Sequence, residues 1–236
     1  KLGFKQPTCN SLDTVGDRDF VLDYLYSIAT CSIHMSRVAE DIIFWNSDAL
    51  NFIKLKDKVV TGSSIMPQKR NPDPLEYIRG KSAISIGNLI SMMAILKGLP
   101  SSYFKDLQDD KEIVFKSDEL ICLCLNILNE VFKNIIINKA TMSEATKKGY
   151  ILATDIADFF VKSSGLSFRE AYTKTANIVN YSEKKNKALQ DLSIKEIQKI
   201  VPNASEDIFN ILNIEKSVES KKSFGGTSFY NIKKMI

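Results

Sequence analysis

Between Thr61 and Glu76 the chain reads TGSSIMPQKRNPDPLE, which puts paired hydroxyls at Ser63 and Ser64, an ammonium at Lys69 and an amide at Asn71 in one short segment. Donors and a cation held this close suit a ligand that carries or develops negative charge. Gly62, beside the serines, lets the backbone approach a ligand closely or take a positive φ. Pro67, Pro72 and Pro74 each fix φ near about −65° and bias the preceding residue away from helix. The segment is therefore expected to be a constrained loop, with Pro74 in the first turn of the helix that follows. A second cluster lies in KGLPSSYFKDLQDDKEIVF, residues 97–115, where Tyr103, Lys105, Gln108, Asp110 and Lys111 fall close together. Gln108 and Lys111 are three apart and share a face if a helix has begun there, while Lys105 lies off that face. A phenol, an amide and an ammonium aimed the same way suit a carboxylate- or amino-acid-bearing ligand.

Long helices have to carry these clusters. Over Asp13–Asn46, with Asp13 or Asp17 available as a cap, Phe20, Leu25, Ile28, Cys31, Met35, Val38, Ile42 and Trp45 recur at helical steps. A helix of that length spans roughly 45 Å. Arg37, Glu40 and Asp41 read as surface ion pairs or inter-helix contacts. Asn51–Val60 is a brief hairpin or an extended connector. A second long helix runs from Pro74 to about Lys97 on Leu75, Ile78, Ser82, Ile86, Leu89, Ile90, Met93 and Leu96, and ends at Gly98 and Pro100. A third continues to about Asn138. Three long amphipathic helices with almost no strand imply an all-α bundle. Shorter helices then follow over 153–163, 168–181, 194–200 and 206–211, with capping boxes at Ser167/Glu170 and Ser193/Glu196. The expected division is a bundle domain over 1–138, with its loop at 61–73, and a small helical domain over 139–236. Gly225-Gly226-Thr227 reads as a turn plus a helix cap.

Composition narrows the function classes. The net charge of +4 is slight and the lysines are scattered among acidic residues, which argues against a nucleic-acid surface. No apolar run reaches the roughly 20 residues of a membrane span. Cys9, Cys31, Cys122 and Cys124 lack metal-ligand spacing and are expected to be buried free thiols in a reducing cytoplasm. His34 is the sole histidine, which disfavours a histidine-based metal site; its place beside an apolar stripe suggests packing. Lys1-Leu2-Gly3-Phe4 carries no initiator Met and no targeting pattern, and reads as the middle of a longer chain.

GSSIMPQKRN resembles the signature segment of the fumarase/aspartase superfamily, whose pattern is GSSxMPxKxN. Its continuation through Glu76 resembles the argininosuccinate lyase branch. KGLPSSYFKDLQDDKE is similar to that branch's second diagnostic stretch and departs from it at Phe104 and Asp109. DRDFVLDYL and SRVAEDIIFW resemble the helix ahead of the signature loop, and LATDIADFF with SFREAY resembles the small C-terminal domain. The resemblance implies reversible elimination of fumarate from argininosuccinate to give arginine, without metal or organic cofactor, in a cytoplasmic homotetramer whose active sites are shared between subunits. It implies Ser63 as the base and Lys69 as a catalytic cation. Asn71, Tyr103, Gln108 and Lys111 would bind substrate, with Gly62, Ser64, Met66 and Glu76 in support. A serine is a poor base unless donors stabilise its alkoxide. The histidine that the family uses to protonate the departing nitrogen is not found: His34 lacks its context, and the stretch expected to hold it precedes Lys1. The chain would correspond to about the last half of a subunit and be inactive alone. Adenylosuccinate lyase is the nearest rival, opposed by Gln68, Asp73 and the 97–111 stretch. A crystallin-like structural protein is the non-enzymatic alternative, opposed by the retained Ser63, Lys69, Asn71 and Lys111.

Overall fold

Three helices set the frame of the first of two compact units, 1–139 and 140–236. The computed structural model describes residues 3–236, so the reading of Lys1 and Leu2 lies outside the described residues. The helices α2 (Asp19–Asn46), α3 (Asp73–Leu96) and α4 (Asp110–Lys133) pack with α2 and α3 antiparallel, as the pairs Glu40–Arg79 and Ser32–Ser85 require. Asn88 donating to Ser117 fixes α3 against α4, and Tyr24 bonding Asp118 fixes α2 against α4.

The inward residues of α2 are Val21, Leu25, Ile28, Ser32, Met35, Ala39 and Ile42. Those of α3 are Leu75, Ile78, Ser85 and Met92, and on α4 Asp110, Ser117, Cys124 and Val131 recur every seven residues. Alternating steps of three and four keep one seam facing its neighbours along long, slightly supercoiled helices. The small Ala39, Ser32 and Ser85 let the axes come close, and the Ser32–Ser85 hydrogen bond satisfies the two buried hydroxyls. Fully burying a side chain such as Leu25, Leu75 or Ile78 stabilises the fold by about 1.5–3 kcal/mol.

The first helix is broken: α1 (Ser11–Gly16) is capped by Asn10, whose Oδ1 accepts from Leu12 and Asp13, and Asp17 is extended. The N-cap position of α2 is Arg18, without a side-chain cap; the Asp17 carboxylate accepts the Asp19 N–H, but neither Asp13 nor Asp17 is the cap. Phe20, Trp45, Ile86, Ile90 and Met93, on the expected inner stripe by period, are exposed, because these helices carry apolar residues on more than one face. His34 is exposed, one residue round the helix from buried Met35. Of the cysteines only Cys124 is buried; Cys31 is half-buried, and Cys9 and Cys122 are exposed. The third helix stops at Lys133. The β-branched run Ile135–Ile137 forms β2, antiparallel to β1 (Ile53–Leu55), so the connector after α2 pairs with a distant strand and forms no local hairpin.

The second unit contains α5 (Lys139–Thr146), α6 (Ala153–Ser164), α7 (Phe168–Lys184), α8 (Ile194–Gln198), α9 (Ile208–Ile211), α10 (Ile214–Ser220) and α11 (Phe229–Met235). Its core is built on Ile156, Phe160, Ile178, Leu189, Ile197 and Ile208. Ser167 and Glu170 form the reciprocal capping box expected, and Gly165, with φ of +62°, ends α6 in the left-handed conformation. At Ser193 the Glu196 carboxylate accepts both the N–H and the hydroxyl. The cap after the glycine pair is Ser228, one residue beyond the expected Thr227.

Candidate active-site segments

The loop before α3 is closed on itself. Thr61 and Asn71 exchange both backbone hydrogen bonds, 3.0 and 2.8 Å, and the Thr61 hydroxyl bonds the Asp73 carboxylate. Pro72 occupies the N-cap position of α3 without a side-chain cap, and Pro74 lies in its first turn, the latter as expected. Inside the loop, Ser63 Oγ accepts the N–H groups of Ile65 and Met66, each at 3.2 Å. Both point at the serine oxygen, where they would stabilise negative charge left by proton loss. Gly62 needs neither special backbone nor close packing: its φ is not positive, and a Cβ there would meet nothing within 4 Å.

Met66, Lys69 and Asn71 line a cleft of about 640 Å³, with Asn46, Asp48 and β1 forming its other side. Lys69 is exposed, its N–H donates to the Met66 carbonyl at 3.1 Å, and its side chain has no ion-pair partner among the described residues. Neighbouring Arg70 is paired with Asp57. Ser63, half-buried, and Ser64, exposed, lie in the loop but do not line this cleft. Glu76 is exposed in the first turn of α3.

The second cluster is not yet α-helical where Gln108 sits. Lys105–Asp109 is a 3-10 helix anchored by buried Leu107, and α4 begins at Asp110. In that tighter helix residues three apart eclipse, so Lys105 shares a face with Gln108, contrary to expectation. Tyr103, Gln108 and Lys111 are exposed, and neither the phenol nor the amide is tied up by another side chain among the described residues. The Lys111 ammonium donates to Asp110 Oδ1 at 2.8 Å, and Arg18 Nε donates to Asp110 Oδ2 at 2.6 Å. Burial pushes the Asp110 carboxyl up, but the hydrogen bonds and charges of Lys111 and Arg18 outweigh it and hold the group below its ordinary value. This Asp110–Arg18 pair was not singled out from sequence; the only local signal was an aspartate directly before Lys111.

The structure does not bring the two clusters together. The loop ends where α3 starts and the Tyr103–Lys111 stretch begins after α3 ends, so they are separated by about 36 Å, the length of a helix of 24 residues. Among the described residues no group of three histidine, cysteine or acidic side chains could hold a metal ion. No described helix is long and apolar enough to cross a membrane.

Residues 1–87 match a family described as lyase, and residues 150–219 match one described as argininosuccinate lyase C-terminal. Over 236 residues the chain is 62% identical to an argininosuccinate lyase of Pelagibacter ubique, covering 100% of this chain and 51% of that protein. It is 46% identical over the same 236 residues to an argininosuccinate lyase of Caldicellulosiruptor bescii, again 100% of this chain and 51% of the relative. The chain thus spans about half the length of the curated relatives it matches. Its fold is like that of a solved EDDS lyase in complex with formate, with a TM-score of 0.88 and 24% identity over 99% of this chain and 48% of that one. The signature loop and the second diagnostic stretch, set in a long-helix bundle and carried with identity along the whole chain, make this chain similar throughout to about half of an argininosuccinate lyase.

Proposed function

We propose that the protein carrying this chain eliminates fumarate from argininosuccinate, reversibly, releasing arginine, and that this chain supplies part of the active site. The observation that carries the reading is the Ser63 hydroxyl under two amide N–H groups in the loop that also holds Lys69 and Asn71. Ser63 takes the carbon-bound proton, and the Ile65 and Met66 amides stabilise its oxygen as charge shifts. The carbanion delocalises into its carboxylate, where Lys69 and Asn71 supply cation and amide. The C–N bond then breaks with its electron pair on nitrogen. His34 stands on α2 twelve residues before the helix end, so the reading assigns the nitrogen's proton to a group outside this chain.

Tyr103, Gln108 and Lys111 contact groups already present in bound substrate. Because they are the length of α3 from Ser63, the reading requires sites shared between copies, in a cytoplasmic homotetramer with the two units as domains. That is supported by apolar side chains left uncovered on the single chain. Phe115, Leu125 and Phe132 form a second seam on α4, and Ile86, Ile90 and Met93 one on α3. The test is steady-state kinetics of the full-length protein with argininosuccinate beside adenylosuccinate, following fumarate. Preferred turnover of adenylosuccinate would overturn the substrate, and turnover of neither would leave the structural, crystallin-like role.

A further inference from the structure

Both ends of the Tyr103–Lys111 stretch rest on the corner between α1 and α2, which the proposed chemistry does not use. At one end a Cβ on Gly16 would lie 2.6 Å from the Ser102 carbonyl oxygen, so the two backbones touch immediately ahead of Tyr103. Ser102 has φ of +89°, a conformation disfavoured for a residue with a side chain and kept only where the surroundings impose it. At the other end the guanidinium of Arg18 bonds Asp110 at 2.6 Å, with the two side chains only 14% and 8% exposed. Arg18 also donates to the Asp17 carbonyl at 2.7 Å, which ties the guanidinium to the corner. Buried Leu107 lies between the two grips, and the corner and the 99–102 backbone face each other across a cleft of about 340 Å³.

We propose that the Gly16–Arg18 corner is the positioning device of the ligand-holding stretch, with Arg18 fixing Asp110 so that its remaining oxygen sets where the Lys111 ammonium stands. The inference rests on the reading of Lys111 as a substrate contact. Charge makes the arrangement more than a scaffold. Arg18 and Lys111 share one carboxylate, so among these three groups one positive charge is left uncompensated. Without Arg18, both Asp110 oxygens would be available to Lys111 and the ammonium would be neutralised where it stands. Arg18 touches no reacting atom; it acts through Asp110.

The experiment is a double-mutant cycle on the full-length protein with argininosuccinate, using Arg18→Met, Lys111→Met and the double variant. Arg18→Met should raise KM roughly tenfold with kcat little changed, as expected for loss of a charged hydrogen bond felt mainly in ground-state binding. In the Lys111→Met background it should add almost nothing, because residues that act through one another are not additive. Arg18→Lys, which keeps the cation and loses the planar fork, should recover part of the loss. A penalty of full size in the Lys111→Met background would overturn the proposal, leaving Arg18 a support of the fold. A silent Arg18→Met beside a damaging Lys111→Met would also overturn it while sparing the site reading. Unchanged KM in Lys111→Met itself would remove the site reading, and this inference with it. If Arg18→Met does not fold, the same cycle with Arg18→Lys decides, and additivity there is equally fatal.

Discussion

Ser63 and Lys111 are separated by the whole of α3: Ser63 precedes Asp73 and Lys111 follows Leu96. If both serve one substrate, they do so from different copies. Full-length Ser63→Ala and Lys111→Met proteins, each impaired alone, should therefore regain activity when unfolded and reassembled together. With random mixing of equal amounts, about a quarter of the sites would hold both native residues. No recovery at any mixing ratio would mean that the two residues do not meet in one site.

Ser63→Ala should lower kcat far more than it raises KM, since proton removal belongs to the transition state. A fall in kcat of less than about tenfold, equivalent to about 1.4 kcal/mol, would rule out Ser63 as the base. Steady-state kinetics of the full-length protein gives both constants.

Lys111→Met and Gln108→Ala should do the opposite, raising KM roughly ten- to a hundredfold for loss of a hydrogen bond to a charged group. Lys105 was expected to lie off the Gln108–Lys111 face. Its place three residues before Gln108 in the 3-10 helix puts it on the same face, so Lys105→Ala should raise KM as well, by less. A KM unaffected by Lys105→Ala would mean that the face is not presented to substrate as a unit.

Glu196 is held down to about 2 by the Ser193 backbone N–H first, then by Lys187 and the Ser193 hydroxyl. A carboxyl depressed in the folded state contributes stability that is fully present above its unfolded value of about 4.5 and is lost as pH falls through about 2. The second unit should consequently become easier to unfold between those pH values, and Glu196→Gln should flatten that part of the dependence. Thermal melting as a function of pH, followed for both proteins, checks the slope.

Thiol labelling reports on both core and assembly. Cys124 is buried and its thiol is pushed up by that burial, so it should react only on unfolding. Cys122 is exposed on the single chain between apolar neighbours of the outer α4 seam. It should label quickly in a dissociated protein and slowly in an assembled one. Equal rates in both states would place the copy-to-copy contact elsewhere.

The proline-bounded loop, the three long helices and the Ser167–Glu170 cap were readable because each is written in nearby residues. What escaped was non-local. An apolar period shows that a helix face is covered without saying by what, and Phe20, Ile90 and Met93 fit the inner period yet lie outside. Ile135–Ile137 continue a helical pattern until β1 claims them, and only the fold supplies that partner. Arg18 and Asp110 are 92 positions apart, and neither residue announces the other. His34 illustrates the angular limit: one step, about 100° of rotation, separates it from buried Met35.

The doubly bonded pair Thr61 and Asn71 makes the signature loop a cassette. Its two ends are fastened to each other before they are fastened to α3 or to the strand side, at the Cα spacing of about 5.5 Å typical of such a pair. Its internal shape, including the amides over Ser63, is thereby held by bonds within the loop itself. The same cassette could be seated on any scaffold that offers two chain ends that far apart, and helices could drift in sequence beneath it without disturbing the serine.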